Sequence, residues 1–214
     1  SGNGGETWSD IDTNNIYASA GASGLAWQTT NFQSTAQGVW RVMTTNEPPI
    51  IGQTETWFAL KNQPLAYYIN DGSMAGDVYC EVAGSPAHTG LGPDSPLDSL
   101  ARLLGRYKVE PGDTVYVDTG RYPLSEPMRF TLPGIGATNR LVIQGSTNEA
   151  AGGTVFTNSA GSTVIEFQNV QQMELRDLHL HGGARGLRLN QSSSNYFVRL
   201  RSVGAGVNAF QLLS

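Results

Sequence analysis

Cysteine is nearly absent from this sequence. Cys80 is the only one in 214 residues, which excludes an internal disulfide framework and any zinc site built on thiolates; it is expected as a half-buried strand thiol. Charge is also scarce. Acidic and basic residues make up 14% of the chain, the formal net charge is -5 and the pI is near 5.1. No clustered basic field exists to meet a phosphate backbone, so general nucleic-acid binding is excluded. No run approaches the roughly 18 consecutive apolar residues of a membrane-spanning helix, so no membrane span is expected. What fills the chain instead is glycine, 26 residues of it, with serine, threonine, asparagine and glutamine. That is the profile of a turn-rich, extracellular or cell-surface β-protein. The length allows one large or two small domains with a proper core.

Residues 1–62 read as a first domain of short strands. Ser1-Gly2-Asn3-Gly4-Gly5-Glu6-Thr7-Trp8 has the composition of a hairpin turn feeding a strand, because Asn and Gly accept positive φ. Strands are predicted at Leu25–Gln28, Gly38–Thr45 and Glu55–Lys61, each bounded by Gly, Pro, Asn or polar runs. In Val39-Trp40-Arg41-Val42-Met43 and Thr56-Trp57-Phe58-Ala59-Leu60 the apolar residues exceed simple alternation, which predicts central strands of a sandwich. Trp8, Trp27, Trp40 and Trp57 are expected in its core rather than stacked on sugar rings. The Gly-Gly-x-Thr-Trp turn followed by an Arg-Val strand resembles the later strands of immunoglobulin-like or fibronectin-type modules of large bacterial surface proteins. The resemblance implies a partial β-sandwich, since four strands fall short of the roughly seven such a fold uses.

Pro64 marks the boundary to a second domain, residues 63–214. Here Tyr67-Tyr68-Ile69-Asn70-Asp71-Gly72 reads as strand and turn, and a polar Gly/Pro loop follows. In Ser95-Pro96-Leu97-Asp98-Ser99-Leu100-Ala101-Arg102-Leu103-Leu104 the apolar positions 97, 100, 103 and 104 fit one helical face, with Ser95 or Asp98 as cap. Pro111-Gly112-Asp113-Thr114-Val115-Tyr116-Val117 turns into a strand that Gly120-Arg121-Tyr122 closes. This order of motifs resembles the N-terminal cap of pectate-lyase-like right-handed parallel β-helix proteins. The resemblance implies a short capping α-helix over the end of a coil of parallel strands. The fold class expected is therefore all-β, a partial sandwich followed by a capped right-handed parallel β-helix.

A repeat supports that reading. Ile165 and Phe167, Leu187 and Leu189, and Phe210 and Leu212 recur at spacings of 22 and then 23. Met173–Leu178 aligns with Val198–Val203 at a spacing of 25, which places Glu174 beside Arg199 and Arg176 beside Arg201. Leu141–Gln144 is expected one period before Val164. Alternation sends Leu178 and Leu180 inward and His179 and His181 outward, with a corner at Arg176-Asp177.

The densest polar constellation is Asp177, His179, His181 and Arg185. A carboxylate–histidine pair serves as acid and base, so Asp177, His179 and His181 are the candidate catalytic residues. Arg176, Arg185, Arg188, Arg199 and Arg201 are the candidate substrate-binding residues, since guanidinium forks suit the carboxylates of an acidic polysaccharide. The bland alternative is a solvated outer face. Two histidines at i and i+2 lack an evident third ligand, so no metal is assigned. Calcium enters only through the resemblance, and Glu149, Glu166, Glu174 and Asp177 are scattered, so no cofactor is expected. The Asn-x-Asp, Asp-Asp and Gly-His-Gly motifs of polygalacturonase-like hydrolases are absent, as is the Asp-Pro-His of alginate epimerases.

With no complete catalytic constellation, the leading expectation is a non-catalytic structural or adhesive module of a large secreted or cell-surface protein. The incomplete sandwich and the uncapped strand Ala209–Ser214 lead to the expectation of partners, either copies of itself in a filament or neighbouring domains of a longer chain. The alternatives are a polysaccharide lyase or epimerase acting on a uronate-rich polymer, and a glycan-binding segment without turnover.

Overall fold

The computed structural model describes residues 1–9, 11, 29–30, 32–44, 46–131, 138–159 and 161–213. They divide into two compact units, Ser1–Leu65 and Ala66–Ser214. In the first, the strands β1 (Thr35–Gly38), β2 (Arg41–Met43), β3 (Ile51–Gln53) and β4 (Phe58–Leu60) form two antiparallel pairs, β1 with β4 and β2 with β3. The opening turn is built by Asn3, whose Oδ1 accepts the Thr7 amide at 3.0 Å, while Gly4 and Gly5 take φ of 68° and 99°. No strand follows it at Trp8. The predicted strand Gly38–Thr45 is instead two strands. Between them the Val39 amide donates to the Ser1 carbonyl, and Trp40 accepts from Thr54. Ile51–Gln53 was not anticipated, and Leu25–Gln28 and Trp27 lie outside the described residues.

The sequence reading of Val39–Met43 and Thr56–Leu60 as core strands is corrected. Val39 is buried, but Trp40, Val42, Met43 and Trp57 are all exposed, Val42 to 62%. Among the described residues no second layer covers the faces of these two-stranded ribbons. Trp8 is half-buried and carries the Arg41 guanidinium 4.0 Å from its ring centroid.

The second unit is dominated by parallel strands. These are β5 (Ala66–Ile69), then α1 (Leu100–Arg106), β6 (Thr114–Val117), β7 (Gly120–Leu124), β8 (Met128–Phe130), β9 (Leu141–Gly145), β10 (Thr154–Asn158), β11 (Thr163–Gln168), β12 (Met173–Gly182), β13 (Arg185–Asn190), β14 (Tyr196–Val203) and β15 (Asn208–Leu213). Every pairing among them is parallel. One ladder runs β5-β6-β9 and a second runs β7-β10. Both join the long β12, the first at its N-terminal half and the second at its C-terminal half, and β14 lies beyond it. A further ladder runs β8-β11-β13-β15.

Alternation then stacks like on like. Tyr67, Val115, Ile143 and Leu175 form one column with no exposure. Phe130, Phe167 and Leu189 form another. Burying such side chains is worth about 1.5–3 kcal/mol each, and this carries the fold.

The spacings of 22 and 23 between β11, β13 and β15 match the pairing Ile165–Leu187–Phe210. The spacing of 25 does not hold. Glu174 pairs with Tyr196, Arg176 with Val198 and His179 with Arg201, a shift of 22. The backbone explains why. Asn169 and Gln191, Gln172 and Ser194, Asp177 and Arg199, and Gly182 and Gly204 all have positive φ and lie 22 apart, so the corners recur at one period. The sequence alignment at 25 followed side-chain type and missed the corners. Nor does β9 sit one period before Val164: Leu141 pairs with Met173. Residues 146–153, with a 3-10 turn at Glu149–Ala151, are inserted between β9 and β10 where β12 runs straight on.

The helix begins later than its apolar pattern suggested. Leu97 is fully buried, but its backbone bridges Ile69 and is therefore extended. Ser99, not Ser95 or Asp98, caps α1, accepting the Arg102 amide at 3.4 Å. Asp98 instead pairs with Arg102 at 2.7 Å. Cys80 is buried in a loop rather than a strand, and burial pushes its thiol pKa upward.

Candidate functional site

The candidate residues fall into separate groups. Asp177 stands at the corner of β12, with its side chain buried. Its carboxylate takes a bidentate pair from Arg199, one period on, and a hydrogen bond from Gln144 Nε2 at 2.7 Å. The Arg199 guanidinium, then the Gln144 amide, hold the Asp177 carboxyl below the usual carboxylate range against the opposing effect of burial. This carboxylate is occupied by the frame and is not presented as a catalytic base. Arg176 bonds Glu174 at 2.5 Å, and Arg140, stacked on the Tyr196 ring at 3.5 Å, approaches the same carboxylate at 3.9 Å. On the other sheet, Glu166 sits between Arg129 and Arg188 at 3.1 and 3.0 Å. Arg185 lies on that sheet too, at the start of β13.

A groove of about 440 Å³ brings together His179, His181 and Arg201, with Arg121 and Glu149. Its floor follows from register: Arg121, Val155, His179 and Arg201 are successive partners across β7, β10, β12 and β14. His181 lies two residues along β12 from His179, on the same face, with the rings nearly parallel and their centroids 6.3 Å apart. The inserted residues 146–153 flank the floor. They bring Glu149 Oε1 to 3.1 Å from His179 Nε2. Burial holds the His181 imidazole below its ordinary value, and the positive charges of Arg121, His179 and Arg201 act in the same direction.

The expected neighbours are thus only partly gathered. His179, His181 and Arg201 converge, whereas Asp177 and Arg199, Arg176, and Arg185 and Arg188 serve other surfaces. Arg121 was not among the candidates from the sequence, and Glu149 was weighed there only as a calcium ligand. Their signal is the interruption of the period: residues 146–153 break the repeat, and an insertion into a stacked repeat borders a face. Each carboxylate scanned for calcium, Glu149, Glu166, Glu174 and Asp177, has a histidine or guanidinium partner. Among the described residues no three His, Cys, Asp or Glu side chains are grouped to hold a metal, and no described helix is long and apolar enough to cross a membrane. No family model, curated protein or solved structure matches the chain, so its functional reading rests on its own residues.

Proposed function

We propose that this protein is a structural or adhesive module of a secreted or cell-surface assembly, built as a capped right-handed parallel β-helix whose strands β14 and β15 receive further parallel strands, supplied by a second copy or by neighbouring coils of a longer polypeptide. The observation that carries this is where the core columns stop being covered. Leu175 is continued by Phe197, Leu187 by Phe210 and Leu189 by Leu212. Exposure rises from 0%, 1% and 6% to 39%, 44% and 76% along these pairs. Apolar columns beside unpaired strand edges favour strand addition, and natural edges that avoid it carry charge, which β15 lacks altogether. The low charge and turn-rich composition support an extracellular setting.

Light scattering over a range of concentrations tests this. The chain is expected to associate reversibly, and Phe210→Lys with Leu212→Lys to shift it to monomer without loss of the fold. A wild-type chain that stays monomeric at high concentration overturns association with a second copy.

A second reading is favoured by the Glu149–His179 pair beside His181, which has the makings of an acid–base couple. In that reading the groove belongs to a polysaccharide lyase or epimerase acting on a uronate-rich polymer, or to a glycan-binding segment without turnover. Absence of new reducing ends or unsaturated products across a panel of polyuronates removes the lyase.

A further inference from the structure

The groove beside residues 146–153 has more positive charge than its surroundings neutralise. Elsewhere, Arg102, Arg129, Arg140, Arg176, Arg188 and Arg199 each have a carboxylate within ion-pair reach. Arg41 lies over the Trp8 ring and Arg106 donates to the His88 and Pro86 carbonyls, while Arg185 makes no ion pair among the described residues. Arg121 and Arg201 have none among the described residues, although both line the groove. Their backbones lie three strand steps apart, about 14 Å at about 4.8 Å per step, and the charges of both act on His181. The only carboxylate in the lining is Glu149, and it is engaged by His179, while Asp71, outside the lining, accepts the Arg121 backbone amide at 3.1 Å and makes no ion pair with its guanidinium.

We infer that this groove is an oxyanion site in which Arg121, Arg201 and His181 receive a sulfate or carboxylate group carried on a larger, otherwise neutral ligand. Guanidinium groups offer forked N–H donors that match either oxyanion. The groove is much larger than a single ion, and Val155 and Val203 give it apolar wall, so the anion arrives on a body of about saccharide size.

The charges facing His181 are Arg121 from β7, Glu149 from the inserted segment, His179 from its own strand and Arg201 from β14. Burial, and then the neighbouring positive charge, favour the neutral form of His181. A bound anion opposes the positive charge directly, so the imidazole takes up a proton as the anion enters. Linkage is reciprocal, so acidification must strengthen anion binding by the same factor. The Glu149 contact holds the His179 ring and keeps that carboxylate away from the incoming anion. None of this depends on association through β14 and β15 or on turnover.

The test is calorimetric titration of the whole chain with sodium sulfate and, separately, sodium acetate, at about pH 5 and about pH 8. Binding is expected to be about fivefold or more tighter at the lower pH, with proton uptake visible in buffers of different ionisation enthalpy. Arg121→Gln and Arg201→Gln should each weaken it, and His181→Asn should bring the ratio of the two affinities toward unity. Arg102→Gln, on the helix, serves as the surface control. If Arg201→Gln does not fold, Arg201→Lys keeps the charge, loses the fork and should still weaken binding. A preference for sulfate points to a sulfate ester and a preference for acetate to a carboxylate. Failure of both ions to saturate at about pH 5, equal affinity at both pH values, or wild-type binding by the Arg201 variant overturns the inference.

Discussion

Asp177 and Arg199, 22 residues apart, occupy the same corner of successive strands, with φ of 53° and 49°, and their side chains close on each other. The pair fixes the register between β12 and β14. Asp tolerates the left-handed conformation because its short polar side chain bonds locally, whereas Arg at that φ is held by its surroundings.

Removing the carboxylate therefore leaves Gln144 Nε2 short of a partner and releases the corner. Asp177→Ala is expected to lower stability by about 1–3 kcal/mol, read as a reduced urea midpoint with an unchanged slope. Asp177→Asn, which keeps the left-handed preference, should lie between the alanine variant and the wild type.

The same residue sets a dependence on acid. The Asp177 carboxyl has a folded-state pKa below its ordinary 3.8, chiefly through Arg199. Its stabilisation is thus complete above that ordinary value and lost as pH falls through the lowered one. His181 is likewise lowered from 6.5 by burial and nearby positive charge. The unfolded chain takes up that proton first, so stability falls as pH drops below 6.5 toward the lowered value. Urea midpoints between about pH 8 and about pH 2 should show both declines, with His181→Asn lacking the first and Asp177→Asn the second.

Gly145 ends β9 beneath the Asp177 corner, and a Cβ there would collide with the Asp177 carbonyl oxygen and the Leu178 side chain. Its Tyr79 partner adds to the constraint, since the phenol donates to the Gly145 carbonyl at 3.0 Å. Gly145→Ala should cost about 1–3 kcal/mol, the usual range for forcing a methyl into a filled site, measured by thermal or urea denaturation.

Asp118 holds a whole loop by one side chain. Its carboxylate accepts the amides of Val78, Tyr79 and Cys80 at 2.7, 2.8 and 2.6 Å, and that of Thr119 at 2.8 Å. Asp118→Ala should release the loop around Cys80. The readout is the thiol: buried in the wild type, it should react slowly with a disulfide reagent, and the variant should react many times faster. Equal rates would show that Asp118 does not pin this loop.

Much of the second unit was legible because its signals are local or periodic. Alternation in β11, β13 and β15 gave their strands and their spacing, and Leu178 and Leu180 turned inward with His179 and His181 on the opposite face, where His179 is nonetheless buried rather than solvated. Side-chain type alone could not give the register of β14. The alignment at 25 put Arg176 beside Arg201, whereas corner geometry sets 22 and puts His179 there. Trp40 and Trp57 show the converse failure, since aromatic character specifies what can be buried but not whether a second layer exists to bury it.

The sequence by itself determined a β-rich chain with one helix, its repeat and the faces of its strands, because hydrophobic alternation and turn chemistry act between residues close in the chain. Only the tertiary structure decided which polar residues meet. Arg121, Glu149, His179 and Arg201 come from separate segments of the sequence, and they are brought to one groove by parallel pairing and by an insertion that shows in the sequence only as a break in the repeat.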